Sequence, residues 1–328
     1  MSTPVIAHCP GTLAPGFTTY SRPCLNRVFD KKKVSHVLPF PSPAADPDMA
    51  SEFDQNRQAV SISGVQEKFS LLLDKNRLRL VREGEQGTYI LKPIPNTGKR
   101  RDQMPANEHL TMQIARQVYG IDTAENTLIF FSDGQPAYIT KRFDVHKDGI
   151  KLAQDDFASL AGRTPQTHGE NYKYRGNYLE IFGLMKRFVP AYTVEAPKLL
   201  TQLIFNYLFS NGDAHFKNFS LLETPLGDYR LSPAYDLINS RIHIGDHDFA
   251  LEEGLLPAAI AQGKIQQQFA VLAERAEISS VTFRRIIDRM LSNSDLVERL
   301  TFSSFLDDTA KRNYYQAYQG RLKQLLKT

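Results

Sequence analysis

The sequence predicts an α+β protein in two lobes, a small lobe of mostly antiparallel strands followed by a larger helical lobe. Three observations carry this expectation. Between residues 68 and 142, short apolar runs bounded by turn residues follow one another as strand, strand, strand, helix, strand, strand. From residue 144 onward the apolar spacing becomes helical. The join at Phe143 and Asp144 is too short for a flexible linker, so the two lobes are expected on one hinge. The expected division is an amino-terminal arm over 1–60 packed on the core, an amino-terminal lobe over 61–143 and a carboxy-terminal lobe over 144–328.

The arm is rich in Pro, Ser and Lys and shows no sustained period, which suits loops and one short helix. Phe17, Tyr20, Leu25, Val28, Phe29, Val37, Leu38 and Phe40 are too many apolar residues for a free tail, so it should lie on the surface of the domain that follows. Residues 68–73 and 77–81, joined at Asp74-Lys75-Asn76, read as a hairpin because the second run alternates as a half-buried strand does. A third strand, 88–92, stops at Pro93. Asn107 can cap a helix whose face carries Leu110, Ile114, Ala115 and Val118 and which Gly120 closes. Asp133-Gly134 joins 127–132 to 136–142 as a second hairpin.

In the second lobe, 154–161, 178–189 and 197–210 read as helices, the last with Pro197 in its first turn. Strands at 219–222 and 229–231 flank a turn at 225–228. Helices are expected again at 264–276, 281–291 and 308–326.

Composition excludes several classes. The 328 residues suit one large or two medium domains, and 41% hydrophobic residues support a sizeable core. A formal net charge of +4 with both signs interspersed does not call for a nucleic-acid partner. Cys9 and Cys24 form no Cys-x-x-Cys pair and read as reduced thiols, not a disulfide framework or zinc knuckle. No apolar run of membrane-spanning length and no signal-peptide start is read, so a soluble cytoplasmic protein without a membrane partner is expected.

The chemistry concentrates in Asn211-Gly212-Asp213-Ala214-His215-Phe216-Lys217-Asn218-Phe219, followed beyond the strand pair by Tyr235-Asp236-Leu237. An Asp, an Asn five positions later and a second Asp after a short strand pair is the spacing with which protein kinases place a catalytic base and two Mg²⁺ ligands. Any one of these residues alone reads as a helix-end or turn residue bonding its own backbone; the joint spacing favours Asp213 as base and Asn218 and Asp236 as oxygen ligands. Lys92 ends the third strand, where a kinase keeps its phosphate-neutralising lysine, although a strand-end Lys before Pro93 is also an ordinary surface residue. Glu108 on the next helix is its possible partner, or simply an acid near a helix start.

Ser61-Ile62-Ser63-Gly64-Val65 precedes the first hairpin. It matches neither Walker A nor a Gly-x-Gly-x-x-Gly loop, yet two serines beside a glycine can line phosphates. His243 and His247, with Asp246 and Asp248, read as a loop instead of a zinc pair because Gly245 and the Ile-His-Ile alternation argue against one helix face. Lys99-Arg100-Arg101 lacks interleaved aromatics and reads as a solvated turn.

Together, Ser61 to Lys68, Tyr89-Ile90-Leu91-Lys92-Pro93, Asn107-Glu108, Lys141-Arg142-Phe143-Asp144, Asn211 to Ser220 and Pro233-Ala234-Tyr235-Asp236-Leu237 resemble the HipA family of bacterial serine/threonine-kinase toxins, over about residues 60–236. The resemblance implies a Mg²⁺- and ATP-dependent protein kinase that contributes to persistence. It casts Asp213 as base, Asn218 and Asp236 as Mg²⁺ ligands, and Lys92, His215 and Lys217 as residues at the phosphates. Lys141 and Phe143 match the hinge that meets adenine, with Lys141 standing where the best-known member has Glu. Ser63, Gly64 and Val65 fall in the loop over ATP. Ser61, with Ser63 as second candidate, matches an inhibitory autophosphorylation site, because a phosphate would repel ATP. Long members carry an extra subdomain before this loop. The chain therefore looks like the short HipT type, whose expected partners are a HipS-like small antitoxin and a HipB-like DNA-binding antitoxin, DNA being reached only through the latter. The family's substrates are aminoacyl-tRNA synthetases, tryptophanyl or glutamyl. Two other readings are a catalytically inactive kinase fold serving as a binding module and a small-molecule kinase. The intact Asp213, Asn218, Asp236 and Lys92 speak against the first, and the serine loop against the second.

Overall fold

The structure is a computed structural model that describes residues 5–45, 67–146, 148–245 and 247–327. The chain forms two compact units, each assembled from separate stretches. One comprises Met1–Gln113, Ala124–Gly149 and Arg299–Lys311, the other Ile114–Thr123, Ile150–Glu298 and Arg312–Thr328.

In the first unit, β1 (Phe69–Asp74), β2 (Arg77–Leu80), β3 (Tyr89–Pro93), β4 (Asn126–Phe130) and β5 (Pro136–Lys141) form an antiparallel sheet in the order β2-β1-β3-β5-β4. Both expected hairpins are present. Lys75 takes a left-handed backbone between β1 and β2, and Gly134 does so between β4 and β5. The register sets Lys92 opposite Tyr138 and Tyr89 opposite Lys141.

Between β3 and β4 runs α2 (Met104–Gln117), numbered after α1 (Arg22–Val28) of the arm. The helix starts three residues before the expected cap, because a 3₁₀ turn over Arg101–Gln103 leads straight into it. Asn107 is therefore an interior residue, fully buried, with its carbonyl accepting from the Thr111 hydroxyl at 2.9 Å. After the helix, Gly120 has φ 65° and its N–H bonds the Arg116 carbonyl, the left-handed ending expected of it.

The arm is built into this unit's core. Tyr20, Cys24, Val28, Phe29, Val34 and Leu38 share one apolar cluster with Phe69, Leu71, Leu78, Leu80, Tyr89, Leu91, Ile129, Phe131, Ala137 and Ile139. Cys9 and Cys24 are buried free thiols in it. The Phe29 ring lies 5.2 Å from that of Tyr20 and 5.8 Å from that of Tyr89. The Tyr20 and Tyr89 hydroxyls donate to the carbonyls of Leu128 and Val28, each at 2.8 Å. Residues 36–38 run along β4, exchanging backbone hydrogen bonds with Phe130 and so covering an edge that would otherwise stand open.

The second unit holds β6 (Gln154–Asp156), β7 (Ser220–Glu223) and β8 (Tyr229–Leu231), an antiparallel sheet in that order. Residues 154–161, expected as one helix, divide instead. Residues 154–156 pair with β7, the Asp156 carboxylate caps the Ser159 N–H at 2.8 Å, and α3 (Phe157–Leu160) is a single turn. After α4 (Pro165–His168), α5 (Tyr178–Phe188) begins with a reciprocal box between Asn177 and Glu180. α6 (Tyr192–Leu208) starts earlier than expected, so Pro197 lies inside it, in the second turn, instead of in the first, and leaves one backbone hydrogen bond unmade.

The rest is α7 (Ile265–Arg275), α8 (Ser280–Leu291), α9 (Ser294–Phe302) and α10 (Asp308–Leu325). The nine-residue α9 was not anticipated. An aromatic stack ties this unit together: Phe205 and Phe209 stack at 4.4 Å, Phe209 and Tyr318 at 5.0 Å, and Tyr119 meets Phe205 edge-on at 5.8 Å. Among the described residues, no helix is long and apolar enough to cross a membrane.

Candidate active site

The loop that follows α6 is shaped by its own backbone. Ser210 closes the helix with φ 51°, a left-handed ending in which glycine is the usual residue. Its carbonyl is held twice by Ser240, through the backbone N–H at 3.0 Å and the hydroxyl at 2.9 Å. The same hydroxyl accepts from the Gly212 N–H at 2.8 Å. A Cβ on residue 212 would sit 3.1 Å from that hydroxyl and 3.3 Å from the His247 carbonyl, so a side chain here would press on both. The Tyr178 hydroxyl fixes the Ala214 carbonyl at 2.7 Å.

Asp213 projects from this turn with a half-exposed side chain. Its Oδ1 accepts the Tyr174 phenol at 2.8 Å and lies 4.0 Å from His215 Nε2. Partial burial raises the Asp213 pKa above the ordinary carboxylate value, and Asp236 adds to the rise; the Tyr174 hydrogen bond and the Lys173 charge oppose it. The His215 imidazole is pushed down to about 3, chiefly by burial and then by Lys173, so it is neutral at physiological pH. Its ring stands edge-on to Tyr174 at 5.0 Å, and its Nδ1 has no hydrogen-bond partner among the described residues.

A short 3₁₀ turn, Phe216–Asn218, carries Asn218 back toward His215, whose N–H donates to Asn218 Oδ1 at 3.1 Å. Phe216 is the buried peg of the turn, with the Arg163 guanidinium 4.3 Å above its ring. Asn218 Nδ2 lies 3.5 Å from Asp236 Oδ2, so residues eighteen positions apart meet side by side. Asp236 itself has φ 54°. A left-handed non-glycine residue costs roughly 1–3 kcal/mol and is typical of functional positions. The Tyr235 hydroxyl anchors it by donating to the Lys217 carbonyl at 3.0 Å. The donor set suits a hard cation: a carboxylate, and an amide oxygen that keeps one lone pair after accepting from His215. The Lys217 ammonium lies 3.9 Å from the Asp156 carboxylate at the end of β6.

In the first unit, Lys92 Nζ bonds Glu108 Oε1 at 2.6 Å, both side chains almost fully buried. The Tyr138 ring lies 5.4 Å from the same ammonium. A lysine is not brought into such a place without its counter-charge. Lys141, at the end of β5, spends its ammonium on both oxygens of Asp30, at 2.8 and 2.6 Å, while its N–H bonds the Glu125 carbonyl. Phe143 follows in the loop, next to the Arg142–Asp144 pair. Ser61, Ser63, Gly64 and Val65 lie outside the described residues.

Of the remaining candidates, Asp246 lies outside the described residues. His243 is buried beside the Ser240–Ile242 turn and His247 is exposed. Among the described residues, no group of three or more His, Cys, Asp or Glu forms a metal cluster. Arg100 pairs with Asp307, and Arg101 bonds the Pro95 and Asn96 carbonyls. Sequence reasoning missed Tyr174, Lys173 and Asp30. Tyr174 lies thirty-nine residues before Asp213 in an aromatic, aperiodic stretch, and no local spacing announces it.

The sequence matches the family described as HipA-like C-terminal domain over residues 60–296. A protein of Haemophilus influenzae named "Putative kinase" is 26% identical over 327 residues, covering 92% of this chain and 91% of its own. The Sinorhizobium fredii protein named "Putative kinase Y4dM" is 31% identical over 254 residues, 73% of this chain and 59% of that protein. Among solved structures, HipA of Shewanella oneidensis, determined in a toxin–antitoxin complex with HipB and operator DNA, aligns with a TM-score of 0.62 at 18% identity. That alignment covers 81% of this chain and 64% of that one. The Helicobacter pylori proinflammatory kinase CtkA aligns with a TM-score of 0.51 at 13% identity, over 80% of this chain and 92% of its own. At these identities the two structures speak for the fold, which is the expected two-lobed α+β architecture of kinases. The chain belongs to the HipA-like family and has its kinase-like fold.

Proposed function

We propose that this HipA-family kinase is an ATP- and Mg²⁺-dependent serine/threonine protein kinase, the toxin of a toxin–antitoxin system of the short HipT-like type. On this reading it phosphorylates an aminoacyl-tRNA synthetase, tryptophanyl or glutamyl, in the cytoplasm, and so arrests translation and growth. The observation that carries it is the loop in which Asp213 is half exposed and hydrogen-bonded by the Tyr174 phenol while Asn218 meets an Asp236 with a left-handed backbone. Phosphoryl transfer needs such parts and little covalent chemistry from the protein.

Asp213 would take the proton of the acceptor hydroxyl, for which its raised pKa suits it. Asn218 Oδ1 and the Asp236 carboxylate would hold Mg²⁺, which supplies charge neutralisation at the phosphates. Lys92, oriented by Glu108, would neutralise phosphate charge in the same way as a kinase lysine. Lys217 and His215 would flank the phosphates, and Ser63, Gly64 and Val65 would cover them. Lys141 and Phe143 would meet adenine through backbone groups, since the Lys141 ammonium is already paired. Ser61 or Ser63 would be the site of inhibitory autophosphorylation.

The partners on this reading are a HipS-like antitoxin and a HipB-like DNA-binding antitoxin, with DNA bound only through the second. The Shewanella HipA complex with HipB and operator DNA supports the HipB-like partner. The test is incubation of the whole chain with Mg·ATP, followed by phosphopeptide mapping, alongside growth of cells expressing it. Wild type should gain phosphate at Ser61 or Ser63 and arrest growth, and Asp213→Gln should lose both by at least ~100-fold in rate. Growth arrest that survives Asp213→Gln, or wild type that transfers nothing, overturns the reading.

A further inference from the structure

Among the described residues, Tyr174 is the side chain hydrogen-bonded to Asp213, and it has no place in the roles above. Its phenol meets Oδ1 only, and Oδ2 has no hydrogen-bond partner among the described residues. The tyrosine is itself firmly seated. It ends a 3₁₀ turn over Tyr172–Tyr174, and its carbonyl accepts the Glu252 N–H at 2.9 Å. Two residues on, the Gly176 carbonyl accepts from Glu253 at 3.1 Å. Its ring is bracketed by His215 edge-on at 5.0 Å and by the Lys173 ammonium at 5.0 Å.

A carboxylate on a single Cβ swings freely unless one oxygen is tied. A general base works only when its free oxygen points at the proton it must take. We propose that Tyr174 is a positioning residue for phosphoryl transfer: it ties Asp213 Oδ1 and thereby presents Oδ2 to the acceptor hydroxyl. This rests on the kinase reading above. Among the described residues, the phenol is the side chain that hydrogen-bonds Asp213. Lys173 carries a charge but lies over the Tyr174 ring, and His215 Nε2 stands 4.0 Å from Oδ1, beyond hydrogen-bond reach. The acceptor and Tyr174 then use different oxygens and do not compete.

The experiment is Tyr174→Phe in the full chain, which keeps the ring against His215 and removes only the hydroxyl. Transfer from Mg·ATP is followed at saturating nucleotide, with ADP affinity and the thermal midpoint measured on the same preparation. The expected result is a kcat lowered on the order of ten- to a hundredfold, with ADP affinity and KM for ATP within about twofold of wild type. An active wild type, dead as Asp213→Gln, with a Tyr174→Phe kcat within twofold of wild type overturns this role and leaves the kinase reading standing. A kcat that falls together with nucleotide affinity or the thermal midpoint also overturns it, in favour of a merely structural contact. Wild type that transfers nothing overturns the kinase reading first, and this role with it.

Discussion

Lys92 and Tyr174 mark the two extremes of what single residues disclose. Lys92 was a candidate in sequence, with an exposed strand-end lysine as the alternative, and the structure instead buries it against Glu108 on the next helix at 2.6 Å. Tyr174 reaches Asp213 through a turn with no period, so its role is decided by a fold that spacing does not encode. Asp30, which takes the Lys141 ammonium from the far end of the sequence, was illegible for the same reason. The buried pair has a consequence for stability that is separate from catalysis. Lys92→Met fills the space and removes the charge opposite Glu108, leaving a buried carboxylate without its cation. The expected loss is about 3–5 kcal/mol of unfolding free energy, read from urea melts. Lys92→Met combined with Glu108→Leu should recover most of that loss without restoring phosphate transfer, which separates the structural from the chemical part of the pair.

At the level of elements, the small lobe's sheet was legible because strand alternation and turn chemistry agree with one another. Asp74-Lys75-Asn76 and Asp133-Gly134 mark tight turns, and the runs beside them have the length of strands. Where the two signals are weak, the reading slipped. Residues 154–161 are too short to show a period, and pairing with β7 claims the first three of them. The arm's apolar residues follow no period, so their partners were not legible, yet their number pointed to packing against the domain that follows. Phe29 shows why they matter: it is fully buried and wedged between Tyr20 and Tyr89, and the latter ring reaches back to the Val28 carbonyl. Phe29→Ala should cost about 3–5 kcal/mol, visible as a lowered urea midpoint with the m-value unchanged. A change under ~1 kcal/mol would mean that the arm lies on the sheet without contributing to its core.

At the scale of the whole molecule, the two lobes do not follow the sequence in blocks, and composition gave no sign of it. The last thirty residues divide between the units, 299–311 with the first and 312–328 with the second. In the second unit, α10 brings Tyr314 and Tyr318 onto Phe209, at 6.1 and 5.0 Å, and the Tyr318 hydroxyl lies 3.3 Å from that of Tyr119. From the same helix, the buried Arg321 pairs with Asp248, donates to the His247 carbonyl at 3.3 Å and to Ser210 Oγ at 3.4 Å. Ser210 and His247 are the residues that shape the turn at Gly212, so the far end of the chain buttresses the loop that presents Asp213. A chain ending at residue 298 therefore loses core from both units at once. It should lose cooperative unfolding by circular dichroism and become sensitive to limited proteolysis throughout. Arg321→Met in the full chain is the discriminating companion. It keeps the tyrosine stack while removing the buttress together with the guanidinium over the Tyr207 ring, and it should remain folded, with a single cooperative transition, while phosphate transfer falls at least ~10-fold. If Arg321→Met transfers phosphate at the wild-type rate, α10 serves the aromatic core alone and the turn around Gly212 is held sufficiently by Ser240.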